Sequence, residues 1–270
     1  DPVLSRGLGD VYKRQTKTGL TFLLNRVTGE PIFPIEEKEV PQGAIKGDYV
    51  SKTQPFPTKP APLNPIYFDP EKAFGFTFWD RGHCKRTAKK LRNEGLFTPP
   101  SLQGSIHYPS GVGGNNWGGP AVDSDRNIMV VNTNNMASLI VMIPREDCKK
   151  PLEELSINKN QVRFTNIESN EGAPYCNLRS MGFFSPLGVP CTEPPWGTLT
   201  AIDLNNGEHL WNVPLGTSKD LAPFPFWWIK GAPNMGGPTV TASGVTFIGA
   251  TSDHFLSAFN GSLIHIAEPT

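Results

Sequence analysis

No run of about 18 apolar residues occurs in the chain, so no segment has the length and composition of a membrane-crossing helix. No secretory leader is visible; both ends read as incomplete, so that absence excludes nothing. A charge excess is missing as well. Lys and Arg number 25, Asp and Glu number 25, and nucleic-acid binding is left without electrostatic support. Cysteine is sparse. Cys84, Cys148, Cys176 and Cys191 show no C-x-x-C spacing and no histidine partner pattern, which argues against a zinc site. Their even number permits disulfides, and Cys176 with Cys191 is the nearest pair in sequence.

Glycine and proline are plentiful, at 27 each in 270 residues, and sixteen Phe and six Trp supply core material. That balance fits many short strands joined by turns and long irregular loops. The stretch Gly197 to Trp211 reads as a β-hairpin. Leu199, Ala201, Ile202 and Leu204 form a short apolar run, Asp203 to Gly207 is a polar turn with Asn206-Gly207 at its end, and the return strand closes on Trp211. The same spacing occurs earlier. Gly19, Asn25, Gly29 and Phe33 stand in register with Gly197, Asp203, Gly207 and Trp211. A partial third copy runs from Thr251 to Asn260, with Leu256, Ala258 and Phe259 in the matching slots. A recurring hairpin with a periodic aromatic predicts radial sheets, that is, a propeller; unrelated hairpins in another all-β domain are the plainer alternative.

Residues 1–15 show neither period 2 nor period 3.6 and do not lead into the strand near Thr18. They read as foreign sequence and are set aside from the fold. Residues 34–70 carry eight prolines, too many for central strands, and read as an irregular connection anchored by Phe56, Tyr67 and Phe68. Residues 80–95 predict one basic helix, with Cys84, Ala88 and Leu91 on one side and Gly95 as C-cap. Its charge suits either solvent or an anionic membrane surface. Phe224, Phe226, Trp227 and Trp228 crowd a Pro-rich loop and predict either a plug over one end of the fold or an exposed patch. At the other end the repeat breaks, with Ile264 where a glycine is due, so residues 261–270 read as a truncated or altered tail.

The most chemical stretch is Gly111-Val112-Gly113-Gly114-Asn115-Asn116-Trp117-Gly118-Gly119-Pro120. Its glycines let backbone approach a ligand closely. Asn supplies donors and acceptors, and Trp a flat apolar face. It is not a phosphate loop, since no Lys-Ser/Thr follows and no helix begins after it. The plain alternative is a long turn with Trp117 plugged into the core. Lys17, just before the first hairpin, is by itself an ordinary strand-end charge.

Taken in order, several stretches resemble the pyrroloquinoline-quinone (PQQ) dependent dehydrogenases, in particular the membrane-bound glucose/quinate/shikimate type. They are Lys17-Thr18-Gly19, Asn25 to Gly29, Val40 to Val50, Thr53 to Phe56, Gly95 to Ser101, Ser185 to Cys191, Trp196 to Trp211 and Gly236 to Asn260. The resemblance covers residues 16–260. It implies an all-β fold, a partial eight-bladed β-propeller with about half the blades, long Pro-rich loops and one short helix. The chain would be a C-terminal fragment.

It also implies PQQ as cofactor, with Lys17 matching the lysine at the quinone oxygens, and Asn116 and Trp117 matching the Asn-Trp beside PQQ. The glucose dehydrogenases tend to differ at this Asn. The implied substrate is a sugar or cyclic polyol, the acceptor ubiquinone, and the location the periplasmic face of the inner membrane, held there by an N-terminal region outside this chain. The catalytic aspartate and the ligands of a calcium or magnesium ion would also lie upstream, so the chain alone is expected to be inactive. Two other readings are a non-catalytic PQQ-repeat scaffold and a soluble quinoprotein alcohol dehydrogenase.

Overall fold

A computed structural model describes residues 11–151, 166–222, 224, 226–260 and 266–267. In chain order the strands are β1 (Val11–Gln15), β2 (Thr21–Asn25), β3 (Ile35–Glu39), β4 (Thr53–Pro57), β5 (Ser105–His107), β6 (Ala121–Asp123), β7 (Ile128–Asn134) and β8 (Ser138–Pro144). They continue as β9 (Asn166–Glu168), β10 (Tyr175–Ser180), β11 (Gly197–Asp203), β12 (His209–Pro214), β13 (Thr239–Val240), β14 (Val245–Ile248), β15 (Ser257–Asn260) and β16 (Ile266–Ala267). One α-helix, α1 (Phe78–Ala88), lies between β4 and β5.

The described strands form three four-stranded antiparallel sheets, ordered β5-β8-β10-β9, β12-β11-β7-β6 and β13-β14-β15-β16, plus the ribbons β1-β2 and β3-β4. The β6-β7-β11-β12 sheet is buried on both faces, and period 2 sorts its side chains. Met129, Val131 and Ile202 pack with Leu23 and Leu63 on the β2 side. Val130, Leu199, Ala201 and Trp211 pack with Ile248 and Phe259 of the next sheet. Val130 pairs with Ala201 and Asn132 with Leu199, so both pairs share that second face. Each repeat's closing aromatic is spent between layers: Trp211 stacks on Phe259 with centroids 6.5 Å apart, and Phe33 packs on the β2-side cluster.

The recurring hairpin repeats at the level of single hydrogen bonds. Asn25 N–H donates to Glu30 O and Gly29 N–H to Asn25 O; Asp203 N–H donates to Glu208 O and Gly207 N–H to Asp203 O. In both, the side-chain oxygen of the opening residue accepts from the backbone N–H two positions on. Only the glycine, Gly29 or Gly207, has positive φ; Asn206 does not, so the turn is longer than the two-residue form. The turn of the third copy lies outside the described residues.

Several expectations need correction. Cys176 does not pair with Cys191. Cys84 bonds Cys191, and Cys148 bonds Cys176. Cys176 sits on β10 opposite Ile143 of β8, just ahead of Cys148 in the following turn, whereas Cys191 lies on a loop that crosses α1. The helix spans Phe78–Ala88 rather than 80–95, and its C-cap is Lys89. Arg92 ends it by leaving for the sheet: its N–H donates to Gly104 O, and its carbonyl accepts from Ile106 N–H. Gly95 belongs to a later turn.

Residues 34–70 are not wholly irregular, because β3 and β4 pair. Pro55 and Pro57 face Glu37 and Ile35, while the ribbon's flanking hydrogen bonds, Thr58 N–H to Pro34 O and Val40 N–H to Lys52 O, fall in the alternate register. Both prolines therefore occupy non-hydrogen-bonded pairs and forfeit nothing. Phe68 is buried and Phe56 meets Phe97 edge-on, but Tyr67 is exposed and anchors nothing in the core. Backbone pairing of residues 11–15 with β2 is of a kind open to most sequences, and it does not bear on that segment's origin. The aromatic loop divides: Phe226 stacks on Phe76 at 3.9 Å, while Phe224, Trp227 and Trp228 stay exposed.

Candidate functional site

Antiparallel pairing gathers several loops at one end of the sheets. Gly197 opens β11 opposite Asn134, which closes β7, and Ala121 opens β6 opposite Val130. The loop ahead of β6, the loop after β7 and the approach to β13 therefore meet. This meeting point holds the glycine-dense stretch.

Lys17 and that stretch are brought together. Gly114 N–H donates to the Lys17 carbonyl at 2.8 Å, and Lys17 Nζ lies 3.5 Å from the Gly111 carbonyl. Gly113 must be glycine: its φ is +97°, and a Cβ there would stand 2.9 Å from Lys17 Cγ. Gly114 abuts Asn64 so closely that a Cβ would overlap the amide. Lys17 itself is exposed.

Asn116 is half-buried, and its Oδ1 accepts from Trp117 N–H at 2.8 Å. Trp117 is 91% exposed, so it is not plugged into the core. It is held out by a close crossing of two glycine pairs, Gly118 against Gly237, where neither residue has room for a Cβ.

Beneath the loop lies an asparagine network that the sequence reading did not single out. Asn132 Nδ2 donates to Asn234 Oδ1 at 2.5 Å and to Gly236 O at 2.7 Å. Asn134 Nδ2 donates to Asn234 O, and Asn234 N–H to Asn134 Oδ1. Asn115 Nδ2 donates to Asn132 O, and Asn64 Nδ2 to Asn134 O. All five side chains are buried. Each amide offers two donors and an acceptor, so the set joins four segments; Asn64 Oδ1 alone of its buried side-chain atoms has no hydrogen-bond partner among the described residues. The signal was present as Asn at alternate positions 132 and 134, closing a strand that opens with the apolar run Ile128 to Val131.

Two adjoining concavities lie near the loop, and Lys17 lines the smaller. One, of about 220 Å³, is lined by Lys17, Gly111, Val112, Arg179, Ser180 and Met181. The other, of about 700 Å³, is largely apolar, with Trp196, Met136, Met181 and Phe184 among its walls and Asn134 and Asn234 at its polar end. Val112 and Met181 belong to both, so the two adjoin.

The donor set fits a quinone with anionic substituents. Lys17 offers a cation for a developing oxyanion in the smaller concavity, and the adjoining larger one offers apolar walls for a flat ring system. Of the three residues that the resemblance points to, Lys17 lines the smaller concavity, while Asn116 and Trp117 line neither. For a divalent metal the described residues offer no group of three His, Cys, Asp or Glu, and no step is derived through one. Among them, no helix is long and apolar enough to cross a membrane.

Comparison with known proteins gives a consistent picture. A family model described as PQQ: glucose/ethanol/alcohol dehydrogenase, beta-propeller domain, matches residues 10–262. The chain is 38% identical over 256 residues to the quinoprotein glucose dehydrogenase of Escherichia coli (strain K12), covering 91% of this chain and 31% of that protein. It is 35% identical over 254 residues to quinoprotein glucose dehydrogenase A of Acinetobacter calcoaceticus, with the same coverages. It is 34% identical over 255 residues to the quinate/shikimate dehydrogenase (quinone) of Acinetobacter baylyi (strain ATCC 33305 / BD413 / ADP1), covering 92% of this chain and 31% of that protein. The chain thus spans about a third of the length of these relatives.

Proposed function

The chain belongs to the PQQ-dependent glucose/ethanol/alcohol dehydrogenase β-propeller family, and from that premise we propose that it is part of a dehydrogenase that oxidises a sugar or cyclic polyol hydroxyl and passes the electrons to ubiquinone. The observation that carries the reading is the junction of Lys17 with the Gly111–Pro120 loop, which sets a cation, an amide and an exposed indole at one end of the sheets. Bound PQQ would supply the two-electron acceptor.

Lys17 would hold its positive charge at the quinone oxygens, where a fixed cation stabilises negative charge without reorganisation. Asn116 would orient the ring through its amide, and Trp117 would offer it an apolar face. The loop glycines Gly113 and Gly114 let the backbone pack directly against Lys17 and Asn64.

Within this proposal the three four-stranded sheets are blades of a partial eight-bladed propeller, about half the ring. The family resemblance puts the aspartate base, and the ligands of a calcium or magnesium ion, ahead of the Lys17 segment. Residues 1–270 by themselves are then a cofactor-binding part without turnover. Two disulfides fit an oxidising location such as the periplasmic face of the inner membrane. The long loops that build the site, rather than short inter-blade turns, weigh against a non-catalytic scaffold, and the Val40–Val50 stretch weighs against a soluble alcohol dehydrogenase.

The test is PQQ-dependent dye reduction by the intact enzyme of which the chain is proposed to be a part, with glucose and quinate as substrates and a ubiquinone analogue as second acceptor. Turnover of either substrate agrees with the reading. PQQ bound with no turnover of any sugar or polyol contradicts it.

A further inference from the structure

Large aromatic side chains that the core does not cover are gathered around one ring stack. Phe76 lies face to face with Phe226, their centroids 3.9 Å apart. Phe76 precedes Thr77, the N-cap of α1, so the stack sets the start of that helix against the short 3₁₀ turn Phe226–Trp228. Both arms are fixed. The two carboxylate oxygens of Asp80 accept the N–H groups of Phe76 and Leu187, and the Ser218 hydroxyl donates to Phe226 O. Phe78, Trp79, Phe224, Trp227 and Trp228 all lie within three residues of the stack in sequence, and all are exposed. Four of them, Trp227 excepted, are 69–78% exposed. Phe78 meets Trp79 at 4.7 Å and Phe224 meets Trp227 at 5.6 Å, so these rings pack on one another. An apolar patch of this kind marks an interaction site.

The exposed charge within the two stretches has one sign. From Phe76 to Arg81 the one acid is Asp80, which is buried with both oxygens used; from Leu221 to Lys230 there is none. Arg81 and Lys230 close the two stretches, and both are exposed. Of the acids flanking them in sequence, Glu71 is paired with Lys85 and Lys89, and Asp220 is bonded to His254.

We propose that this surface docks on the interfacial zone of a phospholipid bilayer, with its rings among the headgroups and Arg81 and Lys230 at lipid phosphates. Trp and Phe suit that depth, because an apolar body enters the acyl boundary while the indole N–H stays within reach of polar groups. The cations suit an anionic leaflet. Rings that protrude from a helix start and a turn fit a yielding lipid surface better than a close-packed protein interface, which needs matched shape. The contact is separate from the anchor that the family resemblance puts upstream of this chain, and it does not rest on the proposed function. Leu187 and Leu221, both exposed, also line the larger cavity, so a docked chain brings the rim of that cavity to the lipid.

The test is flotation of the 270-residue chain with vesicles of phosphatidylethanolamine and phosphatidylglycerol, and with vesicles of phosphatidylcholine alone. Quenching of tryptophan fluorescence by brominated lipid reads the insertion. The variants are Phe78→Ser/Trp79→Ser, Trp227→Ser/Trp228→Ser, Arg81→Gln/Lys230→Gln, and Tyr49→Ser as an exposed aromatic of the Val40–Val50 loop, with circular dichroism to show that each folds. Wild type is expected to float with the anionic vesicles and to be quenched. Each aromatic pair should lower partitioning about tenfold or more. The charge pair should lower it about fivefold per residue on anionic vesicles and leave phosphatidylcholine binding unchanged. Tyr49→Ser should match wild type.

Three results overturn the proposal. One is wild type that stays in solution with anionic vesicles, including the case in which it dimerises through the patch and the aromatic variants do not, which makes the occupant a second copy. Another is binding by both aromatic variants within twofold of wild type. The third is a loss in Tyr49→Ser as large as in the aromatic pairs, which makes the adhesion general to exposed rings.

Discussion

Asn132 on β7 donates its side-chain amide to Oδ1 of Asn234, a residue 102 positions further along the chain, and both are buried. This bond ties the floor under the Gly111–Pro120 loop to the segment that carries Gly236 and Gly237. Asn234→Ala strips the acceptor from Asn132 and the donor from the Thr133 carbonyl. Each buried polar group left unpaired costs about 1–3 kcal/mol, so the variant should lose on the order of 2–4 kcal/mol in urea unfolding. A loss under about 0.5 kcal/mol would mean that the network is not cooperative.

Gly113 is a second sensitive point. Alanine there is strained by a φ of +97° and pushes into Lys17 Cγ. Gly113→Ala should weaken PQQ binding at least tenfold while lowering the melting temperature by only a few degrees. Gly29→Ala sits in open space at φ +78°, and provides the control for backbone strain without the collision. Its PQQ affinity should match wild type.

The disulfide Cys84–Cys191 closes a loop across 107 residues and fastens α1 to the segment holding Val189 and Pro190, which line the larger cavity. Loop-closure entropy for such a span predicts that Cys84→Ser destabilises by about 2–5 kcal/mol. Thermal unfolding with and without reductant measures it. Wild type should fall towards the variant on reduction, and the variant should move less, through Cys148–Cys176 alone.

His107 on β5 gives a pH dependence. Burial pushes its pKa below the ordinary 6.5, and a backbone hydrogen bond with Thr98 works the other way. Its buried Nε2 has no hydrogen-bond partner among the described residues. The folded state therefore binds this proton less readily than the unfolded chain does. Stability linked to His107 is complete above about pH 6.5 and declines as pH falls through the lowered folded value. His107→Phe should flatten that part of the stability curve between pH 7 and 5. An unchanged slope would place the proton uptake elsewhere.

The parts of the fold set by local rules were readable in advance. The hairpins at Gly19 and Gly197 follow from glycine at the one position needing positive φ and an Asx side chain at the turn's start, and their hydrogen bonds coincide. The approach of Lys17 to the Gly111 loop was implied only by family resemblance, since nothing in the spacing relates residues 94 apart. Long-range facts were not legible. Cysteine pairing depends on which strand turns which way, and the nearest pair in sequence was the wrong one. The asparagine network needs β7, the Gly111 loop and the approach to β13 to meet, and period 2 shows only that Asn132 and Asn134 share a face. Trp117 could be read as core or as surface. Two crossing glycine pairs decide it, and they too are far apart in the chain.

The central claim is that Lys17 and the Asn116-Trp117 loop hold PQQ together. A PQQ titration of the wild-type chain against Lys17→Ala tests it most directly. The account predicts saturable binding by wild type and at least tenfold weaker binding by the variant. Equal affinities within twofold would contradict it.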